Sequence, residues 1–324
     1  MTNPLITVIG SLNTDLVTRT SRIPAAGETL ISQSFDTGSG GKGANQAVAC
    51  ARLSHAKASP NHGSVKVEMI GAVGDDLFGS SLVEDLQRNG ISTDGIRVHQ
   101  GQKSGVAVII VDEKTGENRI LMSPNANFSL RPETFTDLPA PKPDLIVLQL
   151  EIPLDTVLQI LDLAHRHGIE TLLNPAPAKK LPENAYSKIT HLIVNESEAS
   201  ILTGDDQNKY DWTTIGAGWE ALTRLGSRHV VVTLGSQGLC YTNCNVKGDK
   251  FEHEFLSAKK VPVKDTTAAG DTFVGAYAAA IATTKDRDFR HMMDIVAKAN
   301  KAAAVTVQRE GAQSSIPWAD EVSS

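Results

Sequence analysis

The amino-acid sequence predicts an α/β fold: a three-layer sandwich in which a mainly parallel central sheet is flanked by helices, plus a small antiparallel β lid. Two observations carry this prediction. Short apolar β-branched runs alternate with longer amphipathic stretches along most of the chain, as in a buried parallel sheet with crossover helices. Two segments interrupt the alternation, and they predict the lid.

The predicted elements alternate as a doubly covered parallel sheet requires. Each crossover helix brings the following strand back beside the sheet. Strands are expected at residues 5–9, 67–70, 145–148, 170–173, 191–194 and 230–234. Helices are expected at residues 43–53, 77–89, 154–167, 197–203, 212–225, 271–283 and 289–307.

The lid is predicted from residues 14–36 and 97–123. Residues 16–35 mix polar and apolar side chains around a Pro-Gly turn region without a helical period, and residues 106–111 and 118–122 flank a polar turn as in a β-hairpin. Such an insertion is expected to cover a site. All 324 residues are assigned to one domain, with surface loops at 54–65 and 205–214.

Composition excludes several classes of function. A formal net charge of -6 gives no overall attraction for nucleic acid or anionic lipid. No uncharged apolar run approaches the ~18 residues that a membrane span needs, and the N-terminus does not read as a signal peptide. The three cysteines match no zinc spacing, so reduced thiols and a cytoplasmic location are expected, with the nucleus as an open alternative.

Residues 265–276, DTTAAGDTFVGA, carry the clearest chemical signal. Thr266 or Thr267 can cap a helix, and the small residues that follow leave its N-terminus open as an anion hole. A carboxylate beside bound phosphate repels it, so its useful role is to accept the proton of an attacking hydroxyl. Asp271 is the expected general base, and the alternative is an acid placed at a helix N-terminus for the dipole alone. The expected anion hole comprises Ala268, Ala269 and Gly270.

Residues 38–47, GSGGKGANQA, form a second polar motif. Glycines let the backbone approach a polar ligand, and Asn45 is expected in the first turn of the following helix. The G-x-G-x-x-G within it is no dinucleotide fingerprint, because the preceding segment is polar and alternating. A Walker A loop is excluded too, since Asp36 stands six positions before Lys42. A plain glycine-rich turn remains the alternative.

Asn13 and Asp15 follow the first predicted strand, at the sheet edge where open α/β folds bind ligands. Two short polar side chains two residues apart can hold neighbouring hydroxyl groups. The N-x-D pattern also occurs in ordinary turns, which is the alternative for this pair.

Five motifs occur in an order typical of one family: GSLNTD, GGKGANQA, NESE at 195–198, TLGSQG and DTTAAGDTF. The chain resembles the ribokinase-like (PfkB) carbohydrate kinases over nearly its whole length. The resemblance implies ATP-dependent phosphorylation of the 5-hydroxyl of D-ribose. Deoxyribose, a ketohexose or a nucleoside are alternative acceptors, and a catalytically silent sugar- or nucleotide-binding regulator is an alternative of another class.

The resemblance also implies the positions of the two substrates. The implied sugar site comprises Asn13, Asp15, Gly41, Lys42, Asn45, Glu151 and Asp271. The implied ATP site comprises Asn195, Thr233, Gly235, Gly238, Gly270 and Asn300. For Glu151 the alternative is an acid at a helix start, and for Asn300 it is a polar residue on an alanine-rich helix.

Metal ions and a subunit contact are implied in the same way. Asn195 and Glu198 match the segment that helps to hold Mg²⁺, whose preferred ligands are oxygen atoms and water. A homodimer through the lid is implied, with Val106, Val108 and Ile110 as its apolar contacts or, alternatively, as packing within one subunit. The implied site for K⁺, a monovalent activator, comprises Asp265, Thr267, Thr306, Arg309, Gly311 and Ser315.

Overall fold

Two sheets organise the computed structural model of the chain, which describes residues 3–59, 63–115, 117–204, 210–213, 216–244 and 251–322. The predicted loops at 54–65 and 205–214 lie partly outside the described residues. In chain order the strands are β1 (Leu5–Ile9), β2 (Asn13–Thr20), β3 (Ser34–Gly40), β4 (Lys66–Gly74), β5 (Ser92–His99), β6 (Gly105–Asp112), β7 (Asn118–Ser123), β8 (Leu145–Gln149), β9 (Glu170–Asn174), β10 (His191–Asn195), β11 (His229–Thr233), β12 (Gly238–Asn243) and β13 (Glu252–Ser257).

Helices cover both faces of the larger sheet. They are α1 (Lys42–Arg52), α2 (Leu77–Arg88), α3 (Leu154–His167), α4 (Glu183–Tyr186), α5 (Glu196–Thr203), α6 (Ala217–Arg224), α7 (Ala269–Thr283), α8 (Phe289–Thr306) and α9 (Ala319–Val322). None of these helices is both long and apolar enough to cross a membrane.

The central sheet has the strand order β13-β12-β11-β10-β9-β8-β1-β4-β5. Every pairing from β11 to β5 is parallel, and β12 and β13 extend the sheet antiparallel. The mainly parallel sheet is thus confirmed. Sequence patterning missed β5, β12 and β13. β5 and β13 are the two edge strands, and their polar, exposed residues lack the apolar run of a buried strand.

Strand alternation divides the core into two layers. Along β8, Leu145 and Val147 belong to one apolar cluster, whereas Ile146 and Leu148 belong to the other. The first cluster includes residues of α1, α7 and α8, and the second includes residues of α3, α5 and α6. The predicted three-layer sandwich is therefore confirmed.

The helix predicted at 212–225 begins later than expected. α6 starts at Ala217, and Trp212 lies in the preceding turn, where its carbonyl accepts a hydrogen bond of 3.2 Å from Trp219 Nε1. The two indole rings pack edge to face with their centroids 5.7 Å apart. Trp212 is therefore apolar because it packs against Trp219, although the helical periodicity had placed it in the helix.

The predicted lid is a four-stranded sheet of order β3-β2-β6-β7. The β2–β3 and β6–β7 pairs are antiparallel, as expected for hairpins, whereas the central β2–β6 pair is parallel. The predicted segments omit residues 37–40, which complete β3, and include residues 97–99, which belong to β5 of the central sheet. Glycines 38 and 40 of the second motif therefore lie in a lid strand.

Candidate active site

Asp271 lies where the first turn of α7 meets the carboxyl ends of the central strands. Its side chain is buried, with 6% of the residue exposed. It borders a cavity of about 200 Å³ that also receives Lys42, Asn195, Glu198 and Thr233. The remaining lining residues are Asn174, Ile193, Val194, Thr266, Ala268, Gly270 and Val274.

The start of α7 is open toward this cavity. Its N-cap is Ala268, which has a left-handed conformation (φ 60°, ψ 7°) and no hydrogen-bonding side chain. The prediction that Thr266 or Thr267 caps the helix was wrong, because Thr267 Oγ1 donates to Asp265 Oδ1 at 2.6 Å. The first N–H groups of a helix have no intrahelical acceptor. The N–H of Ala269 already donates to the Thr266 carbonyl at 3.3 Å, so an anion in the cavity would meet the remaining donors and the positive end of the helix dipole.

Two side-chain amides of α1 bind the Asp271 carboxylate. Asn45 Nδ2 donates to Oδ2 at 3.0 Å, and Gln46 Nε2 donates to Oδ1 at 2.9 Å. The helices can approach this closely because residue 275 is glycine: a Cβ there would lie 2.3 Å from Ala49 Cβ. The structure thus brings together Asn45 and Asp271, which are 226 residues apart in sequence.

Glu151 binds two other predicted sugar-site residues, Asn13 and Lys42, and also Ser11. Its Oε2 accepts hydrogen bonds from Ser11 Oγ at 2.6 Å, from the backbone N–H of Lys42 at 3.0 Å and from Asn13 Nδ2 at 3.4 Å. Gly41 precedes α1 with φ +87°, and a Cβ there would lie 2.7 Å from the backbone nitrogen of Asn13. The tight glycine motif therefore lets α1 begin directly against the strand that carries Asn13.

Asn127 is a buried residue of this site that sequence reasoning missed. Its Nδ2 donates to Asn13 Oδ1 at 2.8 Å and to the carbonyl of Leu12 at 3.0 Å, while its Oδ1 accepts from the backbone N–H of Leu12 at 2.9 Å. It lies in a short 3₁₀ helix, Asn125–Ser129, outside every motif. Only the folded chain shows that it orients Asn13.

Asn45 presents a buried acceptor to the site. Within the described part of the chain, its Oδ1 has no hydrogen-bond partner, although its Nδ2 is bound by Asp271. A buried amide oxygen without a donor is costly. A sugar hydroxyl would satisfy it, which agrees with the predicted sugar contact.

Burial and like charges shift the titration of the site. The pKa of Asp15 is raised to about 7 by burial and by the nearby carboxylates of Glu151 and Asp271. Burial also raises the pKa of Glu151, although the Lys42 ammonium partly offsets this. For Lys42, burial lowers the pKa, but Asp271, Glu151 and Glu198 together raise it above its usual value. Lys42 therefore stays charged as the counter-ion of the acidic site.

A larger cleft of about 900 Å³ runs beneath the lid. Asp15, Val17 and Arg19 of β2 lie along one wall, and residues 263–267 and 310–314 form part of the other. The cleft therefore gives a small molecule access to Asp15.

The predicted nucleotide residues are distributed unevenly. Asn195 and Thr233 border the small cavity, whereas Gly235, Gly238 and Asn300 are absent from the described lining. Gly238 begins β12, and its carbonyl accepts a 2.7 Å hydrogen bond from the Leu234 N–H within the preceding turn. Its φ of +122° and the Leu256 carbonyl, which would lie 2.0 Å from a Cβ at this position, explain the glycine without a nucleotide.

The proposed Mg²⁺ residues also cap α5. Asn195 Oδ1 accepts from the backbone N–H of Glu198, and Glu198 Oε2 accepts from that of Asn195, at 2.8 and 2.9 Å. Burial raises the pKa of Glu198. Both residues border the cavity that contains Asp271, so their side-chain oxygen atoms lie at its edge, and the residues fit a largely hydrated Mg²⁺.

The predicted K⁺ residues join two loops beside the start of α7. Asp265 Oδ1 accepts from Thr267 N and Asp265 Oδ2 accepts from Gly311 N, both at 2.9 Å. The buried Thr306 donates to Thr272 Oγ1 at 2.9 Å. Ser315 Oγ donates to the Ala312 carbonyl at 2.7 Å, while the Arg309 guanidinium binds Glu321 at 3.1 Å. A guanidinium has no acceptor atom, so Arg309 has only its backbone carbonyl to offer a cation.

A buried carboxylate between a pocket of amide and carboxylate side chains and the open start of a helix suits a kinase that acts on an alcohol. The chain matches the model of the pfkB family carbohydrate kinases over residues 3–319. It is 43% identical to the ribokinase of Schizosaccharomyces pombe over 322 residues, covering 98% of this chain and 96% of the relative. It is also 38% identical to the deoxyribokinase of Salmonella typhi over 320 residues, with 96% and 95% covered.

The fold is similar to that of a solved relative with both substrates bound. Arabidopsis thaliana ribokinase in complex with ribose and ATP superposes with a TM-score of 0.81 at 28% identity, covering 99% of this chain and 98% of the other. The chain belongs to the pfkB family of carbohydrate kinases. It is accordingly a phosphotransferase with an alcohol group as acceptor, as the sequence predicted.

Proposed function

We propose that the protein transfers the γ-phosphoryl group of ATP to the 5-hydroxyl of D-ribose, with Asp271 as the general base. The observation that carries the proposal is the position of Asp271. Its carboxylate is bound by Asn45 of the sugar pocket, and it borders the cavity formed with the start of α7. One carboxylate can thus reach both a sugar hydroxyl and a phosphoryl group.

The chemical step uses that position directly. The 5-oxygen of the sugar forms a bond to the γ-phosphorus as the bond to the β,γ-bridging oxygen breaks, and ADP leaves with that electron pair. Asp271 accepts the hydroxyl proton as the new bond forms. The N–H groups at the start of α7 and the Lys42 ammonium stabilise the negative charge on the transferring group. Lid closure would exclude water and so limit hydrolysis of ATP.

Two ions are proposed to support the reaction. Asn195 and Glu198 would hold Mg²⁺ through water, and Mg²⁺ supplies positive charge to the ATP phosphates when bound. The loops joined by Asp265 and Gly311 would hold K⁺ through backbone carbonyls. Their position beside α7 gives such an ion an electrostatic effect on the anion site.

The acceptor specificity is tested by comparing kcat/KM across a sugar panel with ATP and Mg²⁺. D-Ribose is expected to exceed 2-deoxy-D-ribose and adenosine by at least about tenfold, because a missing hydroxyl leaves a buried amide or carboxylate unpaired, and to exceed D-fructose because the pocket must admit an additional carbon. Replacing Na⁺ with K⁺ in the same assay is expected to raise turnover. A preference for deoxyribose, as the Salmonella relative's name allows, would overturn the ribose assignment.

A homodimer through the lid is proposed on the basis of its outward face. Val108 of β6 pairs with Leu16 of β2 and with Leu121 of β7, so the three side chains share one face of the lid. Ile109, the next residue of β6, borders the cleft, which places Val108 on the opposite face. Leu121 is 69% exposed and Val108 is 36% exposed. Val106 and Ile110 are each two residues from Val108 on β6, so their side chains lie on the same face of the lid.

The dimer is tested with Leu121→Asp, because a charge on an apolar interface must be desolvated when the interface forms. Light scattering during size-exclusion chromatography is expected to give a dimer for the parent protein and a monomer for the variant. Asn118→Asp, on the same strand, is the matched control and is expected to remain dimeric. A monomeric parent protein would contradict the proposal.

A further inference from the structure

Gln46 is a fully buried amide beside Asp271, and the proposed reaction leaves it without a role. We infer that Gln46 is a positioning residue, which fixes the Asp271 carboxylate in the orientation that accepts the sugar proton. The inference rests on the proposed role of Asp271 as general base. It concerns how that base is aligned, and neither substrate needs to touch Gln46.

The contacts of Gln46 fix the orientation of its amide. Its Nε2 donates to Asp271 Oδ1 at 2.9 Å and to Asn174 Oδ1 at 3.1 Å. Its Oε1 accepts from Gln149 Nε2 at 2.7 Å. A flipped amide would set its oxygen against two acceptors and its nitrogen against a donor. The N–H group is therefore held toward Asp271.

The amide chain is anchored in the central sheet. Gln149 is the last residue of β8 and is fully buried. Asn174 is the last residue of β9, and its Nδ2 donates to the carbonyl of Ile193 at 3.0 Å. The chain of hydrogen bonds thus runs from the ends of two strands, through α1, to the first turn of α7. Side chains locked by such supporting bonds keep a catalytic group in place.

Each oxygen of the Asp271 carboxylate receives one amide hydrogen bond. Asn45 binds Oδ2 and Gln46 binds Oδ1, so the plane of the carboxylate is defined by two donors on one helix. Removing the Gln46 donor frees the carboxylate to rotate about χ2 while leaving the cavity lining intact. A small misalignment of a reacting group can cost up to about 10²-fold in rate.

The first test compares the single Gln46→Met variant with the double Gln46→Met, Gln149→Met variant. In the single Gln46→Met variant, kcat is expected to fall roughly 10–100-fold, while calorimetric Kd values for ribose and for ATP stay within about threefold. That variant also strands the buried Gln149 amide, which lowers stability. The double variant removes the stranded Gln149 donor, so part of the lost thermal stability is expected to return while kcat stays low; Asn174 Oδ1 has lost its Gln46 donor in both variants.

A second variant separates alignment from packing. Gln46→Glu has the same shape and can still accept from Gln149, but when charged it repels Asp271 and when protonated it can donate to it. The ratio of the variant's kcat to the parent's is therefore expected to rise about tenfold as pH falls from roughly 8.5 to 6. Asp271 faces position 46 directly. Other titrating groups of the site, including Asp15, Lys42, Glu151 and Glu198, are common to both proteins and largely cancel in the ratio.

The outcomes separate the inference from the proposed function. Gln159→Met on α3 is the control, because it removes a 3.1 Å hydrogen bond from the Gln159 amide to the Phe135 carbonyl, and unchanged kcat is expected. A double variant that regains kcat with its stability, or a flat pH ratio for Gln46→Glu, would overturn the inference. If Gln46→Met keeps its kcat while Asp271→Asn loses activity, the positioning role fails and the general base stands. If Asp271→Asn stays active, the general base itself fails.

Discussion

The Asp271→Asn variant is expected to turn over ribose and ATP roughly 10²–10⁴ times more slowly than the parent, the usual contribution of a general base. An amide of the same shape cannot accept the hydroxyl proton. It would also turn a donor toward Asn45 Nδ2 or Gln46 Nε2, both of which now donate to the carboxylate. Initial rates of ADP release at saturating substrates measure the effect.

Substrate binding distinguishes this loss from a damaged site. Removing a negative charge from the phosphate cavity is expected to leave the Kd for ATP unchanged or lower, because like charges repel. Asp294→Asn is the matched control, since Asp294 is exposed on α8 and should give parental rates. A folded Asp271→Asn enzyme whose kcat stays within tenfold of the parent would contradict the assignment.

The Asp15→Asn variant is expected to be more stable than the parent but to bind ribose poorly. In the folded chain the pKa of Asp15 is about 7, raised from 3.8 by burial and then by Glu151 and Asp271. The folded state therefore binds more protons than the unfolded state between these values, and Asp15 lowers stability as pH rises through this window. Above it the substitution is expected to add roughly 2–4 kcal/mol to the free energy of unfolding.

Two measurements test whether Asp15→Asn raises stability and weakens ribose binding. Denaturant unfolding of the sugar-free protein at about pH 8 and pH 5 should show the larger gain at the higher pH, since Asp15 is mostly protonated at the lower one. Calorimetry should show ribose affinity reduced roughly 10–100-fold, the worth of hydrogen bonds to a charged group. Asp36→Asn, at an exposed position of the neighbouring lid strand, is the control. Equal stability at both pH values would contradict the raised pKa.

The central fold was predictable because its signal is local. Strands such as β8 and β11 contain short uninterrupted apolar runs, as a parallel sheet covered on both faces requires. The edge strand β13, EHEFLS, has charged and exposed residues, so no apolar run marks it. The parallel pairing of β2 with β6 joins segments more than eighty residues apart, and no local pattern records such a register.

The candidate site was predictable where a motif also indicates the position of its residues in a helix. Asp271 lies in the first turn of α7, and Asn45 reaches it from α1, at the positions that the two motifs indicated. Gln46 was missed because adjacent helix residues point about 100° apart, so a sequence shows no reason for both to reach one carboxylate. The close packing of α1 on α7 supplies that reason.

Supporting residues outside the motifs required the structure. Ser11 and Asn127 hold Glu151 and Asn13 through bonds that span 140 and 114 residues. The capping role of Asn195 could be anticipated, since Asn followed three residues later by Glu is the pattern of a capping box. The sequence alone does not show that Thr267 fails to cap α7. Its hydroxyl donates instead to Asp265 in the same turn, and this contact is seen only in the structure.

The most direct test of the account is to identify the product formed from ATP, Mg²⁺, K⁺ and D-ribose by phosphorus NMR while ADP is measured in parallel. We expect one phosphomonoester for each ADP, with its phosphorus coupled to the protons on C5 of ribose, and none without the sugar. A phosphoryl group on another hydroxyl of ribose, or ADP release that does not depend on ribose, would contradict this expectation.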